Sequence, residues 1–315
     1  MIHDQGEFRM NGRSKLRIRI KANWQLYLIL LLPVVYIIIF AYIPMFGAQI
    51  AFRRYTPRLG ISGSPWIGLG NFKKFFESFY FVSVVSNTFL LSIMSIVISF
   101  PIPIIFALMM NSFNSLMFKK VSQTIVNLPH FISVVVLVGM LLQFFNSNTG
   151  VYGIIVQFIT GEKPPNIFAK AENFRIMYIL SGVWQNFGWD SIIYIAALSG
   201  VSMEMHEAAV IDGASRFQRI LYVDFPSIIP TITILLILRM GYVMSIGFEK
   251  VFLMQNGLNL SVSEVISTYT YRVGLTGSSD FSYATAIGLF NSVINMFMIS
   301  IVNMLARRTG ETSLW

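Results

Sequence analysis

From Ser78 to Phe118 the chain carries no charged side chain, and this stretch is one of several apolar runs long enough to cross a bilayer. A helical crossing takes about 20 residues. The runs extend from about Trp24 to Phe46, within Phe81 to Met110, from Ser122 to Phe145, Ile176 to Gly200, Ser227 to Phe248 and Tyr283 to Ala306. In hydrocarbon every backbone amide needs a partner, which leaves only helices and closed barrels. These runs are continuous rather than alternating, so the expectation is an all-α polytopic membrane protein with six transmembrane helices. Composition agrees: charged residues make up 12%, about half the usual share in a soluble domain. Pro101 and Pro103 predict a kink in the second span, and Pro129 stands near the start of the third. Asn146 to Arg175 reads as a polar excursion containing Gly150, Gly153, Gly161 and Pro164-Pro165.

Six spans put both termini on one side. Arg9, Arg13, Lys15, Arg17, Arg19 and Lys21 precede the first span with no acid among them. A basic head before an apolar run can be a secretory signal. This run, however, ends in IPMFGAQIAFRR rather than a small-residue cleavage site, so a retained span is expected, with Trp24 and Tyr27 at the interface. Lysine and arginine divide twelve to ten in favour of the N-terminal side, with Arg239 inside a span. The positive-inside rule then places both termini in the cytoplasm. The expected layout is a basic cytoplasmic segment at 1–23, one six-span membrane domain at 24–306 and a short cytoplasmic tail at 307–315. The net charge of +9 fits cationic anchoring at membrane boundaries better than nucleic acid.

Between the fourth and fifth runs lies a polar island, MEMHEAAVIDGASRFQRILYVDFP, from Met203 to Pro226. Ser202 is a candidate N-cap, and Glu204 and Glu207 in the first turns suit the helix dipole. Asp212-Gly213 offers a stop, because glycine takes the left-handed conformation without a steric penalty. A short helix over Met203–Ile211 is therefore predicted along the membrane face. Ala208 and Ala209 are small enough for another protein to approach closely; a helix that only tidies a connection is the plainer alternative.

No catalytic site is legible. The chain lacks cysteine, which excludes disulfides and thiolate chemistry. It has no G-x-x-x-x-G-K-[ST] and no H-E-x-x-H, and His3, His130 and His206 are scattered, so no cofactor or metal is expected. Ionisable groups inside spans default to functional hypotheses, and Asp190 and Arg239 qualify. They could pair to fix helix packing, or each could face a watery cavity. Trp184, Gln185, Asn186, Trp189, Tyr194 and Tyr242 lie near them in sequence. Rings stack on the C–H face of a sugar while amides bond its hydroxyls. Asn291 and Asn295 are four apart and share a helix face, either for a solute or as interhelical glue.

The layout Glu207-Ala208-Ala209, Gly213 and Pro226 resembles the EAA loop of inner-membrane permease subunits of binding-protein-dependent ABC importers, with Val223 and Phe225 where that family usually has Ile and Leu. GSPWIGLGNFKKFF (Gly63 to Phe76), SNTFLLS (Ser86 to Ser92), NLPHFIS (Asn127 to Ser133) and WQNFGWDSIIYIAAL (Trp184 to Leu198) are similar to its carbohydrate-uptake branch, and the opening apolar run resembles LplB-type oligosaccharide permeases. The resemblance covers nearly the whole chain. It implies a type I ABC permease fold in a bacterial cell membrane that imports a carbohydrate, an oligosaccharide by that likeness, with no catalysis by this chain itself. ATP hydrolysis would belong to two copies of an ATPase subunit. A second, similar permease would complete the pore as a heterodimer, and an extracytoplasmic solute-binding protein would deliver the sugar. Glu207, Ala208, Ala209, Asp212, Gly213 and Pro226 would couple to the ATPase, and Trp184, Asn186, Trp189, Asp190, Arg239, Tyr242, Asn291 and Asn295 are the candidate solute pathway. A self-contained secondary transporter or channel is the competing reading. It expects an inverted repeat or broken helices in corresponding halves, which the sequence does not offer, and it leaves the Glu207 loop without a role.

Overall fold

Apolar length dictates the architecture, and the computed structural model is a bundle of helices with no strand among the described residues. It describes residues 21–276, 279–308 and 313. Most of the basic N-terminal segment and most of the C-terminal tail lie outside these residues. Among the described residues, four helices are long and apolar enough to cross a membrane: α1 (Trp24–Phe52), α2 (Phe81–Ser112), α8 (Arg216–Met240) and α11 (Phe281–Arg308). A fifth crossing is supplied if the bent pair α3 (Leu116–Phe131) and α4 (Val134–Phe144) counts as one. The expected fourth span is α6 (Ala171–Leu198), whose 28 residues reach about 42 Å at 1.5 Å each. Its polar residues keep it outside that apolar set, so six spans are not reached by length and apolarity alone.

Several boundaries move. Pro101 opens a new helical turn after Phe100, which keeps helical dihedrals, and α2 runs on across the interruption. The third span is broken rather than kinked: α3 and α4 meet at 94°. Pro129 limits the ladder, Ile132 is extended, and Ser133 starts α4 afresh by accepting from the Val136 amide at 3.3 Å. The polar excursion contains a ten-residue apolar helix, α5 (Val151–Thr160). The fifth span begins at Arg216 and stops at Met240, so Arg239 sits at a helix end rather than midway. Ahead of Pro44 and Pro226 the helices widen into π turns at Ile38–Tyr42 and Ile220–Asp224, where a proline withholds the N–H that the ladder would use.

α6 is the hub, packing on α2, α3, α8 and α9 (Phe248–Met254). Leu198 and Tyr194 meet Ile104, Ala107 and Ile228 at one end, while Phe174 and Ile179 meet Leu91, Val138 and Val251 toward the other. A third cluster joins Phe75, Val84, Tyr269 and Ile287. Gly188 lets α3 approach: a Cβ there would lie 2.3 Å from the Val126 carbonyl oxygen. By contrast, no residue from Trp24 to Met45 is buried in this chain. Contact with the body begins farther along α1, where Asn71 donates to the Ala51 carbonyl at 2.8 Å.

Candidate functional site

Two sites emerge, one at each end of a mechanical path along α8. The first is α7 (Met203–Ile211), with the predicted boundaries. Ser202 accepts from the Glu204 amide at 3.2 Å. Gly213 has φ +81° and donates to the Val210 carbonyl at 3.0 Å, and Ala214 donates to Ala209 at 2.9 Å. These bonds close the helix end with the left-handed residue that glycine supplies. Glu207, Ala208 and Asp212 are exposed, Ala209 is half-buried and no residue of α7 is buried. The helix thus offers almost its whole circumference to a partner.

α7 is nevertheless tied to the spans. His206 Nε2 lies 3.2 Å from Oδ1 of Asp224, whose residue is only 2% exposed. The same oxygen accepts from Asn111 Nδ2 at 3.0 Å, at the end of α2, and Lys119 of α3 donates to the Asn111 carbonyl at 3.3 Å. A buried carboxylate is costly unless its lone pairs are satisfied, and here helices α2 and α7 supply the donors. Displacing α7 therefore pulls on Asp224, which belongs to α8. Pro226 follows two residues later at the second position of the straight part of α8, where its missing N–H costs little. Sequence reasoning named Pro226 but missed His206, Asp224 and Asn111. A histidine within a polar island facing an aspartate before a proline gives no local signal of a contact 18 residues away.

The second site is a cavity of about 750 Å³ between α2, α6 and α8, lined by Phe100, Trp189, Asp190, Tyr194, Arg239 and Tyr242 among others. Arg239 donates to Asp190 Oδ2 at 2.8 Å, with side chains 50% and 30% exposed. Asp190 is eight residues, about 12 Å, from the Leu198 end of α6. Trp189 and Tyr242 are 45% and 71% exposed, so both rings are open to a ligand.

The break in the third span frames this wall. His130 stacks on Trp189 with ring centroids 4.3 Å apart and planes 6° from parallel. Its Nδ1 is 3.0 Å from Asn186 Oδ1. Asn186 is oriented by its own donation to the Gly182 carbonyl at 3.1 Å; since Oδ1 can only accept, the proton resides on Nδ1. Gln185 donates to the Ile132 carbonyl at 2.8 Å and pins the broken backbone. Thus Trp189, Asp190, Arg239 and Tyr242 come together, and Asn186 supports them through His130, an unforeseen member. Trp184 is exposed on α6 but does not line the cavity. Asn295 accepts from the Met244 amide at 2.9 Å and donates to Ser245 at 2.8 Å, while Asn291 donates to Ser245 at 3.4 Å. Both fasten the turn after α8 to α11, and Asn291 also lines a second cavity, of about 520 Å³, together with Phe248 and Tyr271. No group of metal-ligating side chains occurs among the described residues.

The chain matches the family described as "Binding-protein-dependent transport system inner membrane component" over residues 24–311. It is 38% identical to Protein LplB of Bacillus subtilis (strain 168) across 94% of this chain and 92% of that one. It is 37% identical to the polygalacturonan/rhamnogalacturonan transport system permease protein YteP of the same organism, covering 98% of this chain and 95% of the relative. A crystal structure of a bacterial alginate ABC transporter in complex with alginate pentasaccharide-bound periplasmic protein superposes with a TM-score of 0.86 at 37% identity, covering 95% of this chain and 100% of that one.

Proposed function

The chain belongs to the family of inner membrane components of binding-protein-dependent transport systems, and on that premise we propose that it forms half of the translocation path of an ABC importer for oligosaccharides. Residues 24–306 form the permease domain, with the basic segment 1–23, the loop 203–226 and the tail 307–315 on the cytoplasmic face of a bacterial cell membrane. ATP is hydrolysed by two copies of a partner ATPase, a second and similar permease completes the pore, and an extracytoplasmic binding protein delivers the solute. The bare face of α1 from Trp24 to Met45 supports contact with lipid and with that second permease. The relatives' names point to polygalacturonan, rhamnogalacturonan and the acidic polysaccharide alginate.

One observation carries the reading: an exposed helix, α7, is bonded through His206 and Asp224 to the helix that bears Arg239 at its far end. Fifteen residues separate Asp224 from Arg239, about 22 Å along α8. A partner that grips Glu207, Ala208, Ala209 and Asp212 and closes on ATP moves α8 as a rod, and the cavity wall changes shape. At the cavity, Trp189 and Tyr242 offer stacking faces, and the Asp190–Arg239 pair offers both donors and acceptors to hydroxyls. Because Arg239 is already paired, the wall does not present a free cation to the solute. The test is reconstitution with the ATPase, the second permease and the binding protein, assayed across neutral and acidic oligosaccharides. Solute-stimulated ATP hydrolysis that Glu207→Ala abolishes supports the proposal; uptake without any ATPase refutes it.

A further inference from the structure

Beneath α7, the ends of α2, α3, α6 and α8 enclose a cavity of about 450 Å³ whose charge is unbalanced. Lys119, Arg216 and Arg219 line it together with His206, against one carboxylate, Asp224. That carboxylate is already engaged by His206 and Asn111. Lys119 spends one donor on a backbone carbonyl. Among the described residues, no ion pair reaches Lys119, Arg216 or Arg219. Arg219 Nε is buried with no hydrogen-bond partner, although such groups normally find one.

The remaining wall mixes apolar Leu198, Val201 and Ile220 with polar Asn111, Ser112, Asn114 and Ser199. Exposed Phe217 and Leu116, at 71% and 80%, lie on the flanking helices α8 and α3. The cavity itself suits a compact anion, and exposed Phe217 and Leu116 beside it suit an apolar stem attached to that anion. Arginine binds phosphate through paired, charge-assisted hydrogen bonds. Basic pockets between transmembrane helices on the cytoplasmic side suit anionic headgroups.

We propose that this cavity binds the phosphate of an anionic phospholipid from the cytoplasmic leaflet, and that the bound headgroup braces the joint between α7 and α8. The inference rests on the cytoplasmic placement of α7 proposed above. Phosphate oxygens between Arg216 and Arg219 would give the orphaned Nε its acceptor. The headgroup would then hold α8 near its first turn, where the pull of α7 enters the membrane.

Binding is read by native mass spectrometry of the purified full chain titrated with phosphatidylglycerol or phosphatidylcholine. The expected result is retention of phosphatidylglycerol over phosphatidylcholine. Arg216→Gln should weaken that retention about tenfold, the loss of one charge-assisted hydrogen bond, and Arg219→Lys, which keeps the charge but lacks the guanidinium fork, should weaken it measurably where Arg219→Gln fails to fold. Equal retention of both lipids, or indifference to Arg216→Gln, overturns the proposal. Displacement by millimolar inorganic phosphate as effective as by the lipid would assign a free-anion site and overturn the lipid. Loss of bound lipid on adding the ATPase would assign the cavity to an acidic segment of that partner and also overturn it. Neither the ATPase nor a solute is needed for the binding itself, so its failure leaves the importer reading standing.

Discussion

Replacing Arg239 with methionine strands Asp190 in the cavity wall, and a double-mutant cycle separates the two roles open to this pair. Their 2.8 Å bond joins side chains that are 50% and 30% exposed. Breaking a fully buried pair costs about 3–5 kcal/mol, and an exposed one about 0–1 kcal/mol. Half exposure places Arg239→Met between them, at about 1–3 kcal/mol of destabilisation. Asp190→Asn alone should cost a similar amount, because the guanidinium loses its charged acceptor. The double variant leaves no stranded charge, so the coupling energy should be about 1–2 kcal/mol. Unfolding in detergent of the four proteins measures this term, and oligosaccharide uptake in the reconstituted assembly measures function. If the pair contacts solute, the double variant regains stability but not uptake. Wild-type uptake by the double variant would reduce the pair to helix packing. A coupling energy below about 0.3 kcal/mol would refute the contribution worked out above from half exposure.

Gly188→Ala forces a Cβ to within 2.3 Å of the Val126 carbonyl; the backbone of α3 must retreat, and a loss of about 1–3 kcal/mol in detergent unfolding should come with reduced uptake, while unchanged stability would contradict the packing. Gly213→Ala meets no atom within 4 Å, so it pays only the left-handed penalty of about 1–2 kcal/mol and should still bind the ATPase in pull-down; Gly213→Pro cannot adopt φ +81° and should lose that association. Burial pushes the Lys250 amine down to about 8 from 10.5, where it donates to the Tyr178 carbonyl at 2.9 Å. The native state therefore binds fewer protons than the unfolded chain between these values, and stability should rise as pH climbs from 8 to 10.5. Lys250→Met should lack that rise, and identical pH profiles for both proteins would refute it.

Much of the fold was legible because lipid restricts the choices: continuous apolar runs must be helices, and their lengths follow from the bilayer. The bounds of α7 were legible for a local reason, since Ser202 and Gly213 are cap residues whose chemistry does not depend on the rest of the chain. The break in the third span was not. Apolar residues resume at Phe131, one histidine past Pro129, and the 94° bend is held by a tertiary bond from Gln185 to Ile132. His130 was set aside as isolated because its partners, Asn186 and Trp189, lie more than 50 residues away and converge only through that bend. The early end of α8 was hidden similarly, as the run beyond Met240 is apolar enough to continue while Asn295 diverts the backbone at Met244. Asp190 and Arg239 both pair and line the cavity, so the two arrangements left open by the sequence occur together.

On the proposed function, α7 is a cytoplasmic handle gripped by an ATPase. Because the chain has no cysteine, Glu207→Cys introduces a single thiol on that handle. Labelling it from each side of sealed vesicles, then cross-linking within the assembled transporter during ATP turnover, reads both location and contact. The account predicts modification only from the cytoplasmic side and a cross-link to the ATPase subunit; a thiol reached only from outside, or one that never joins the ATPase, would contradict it.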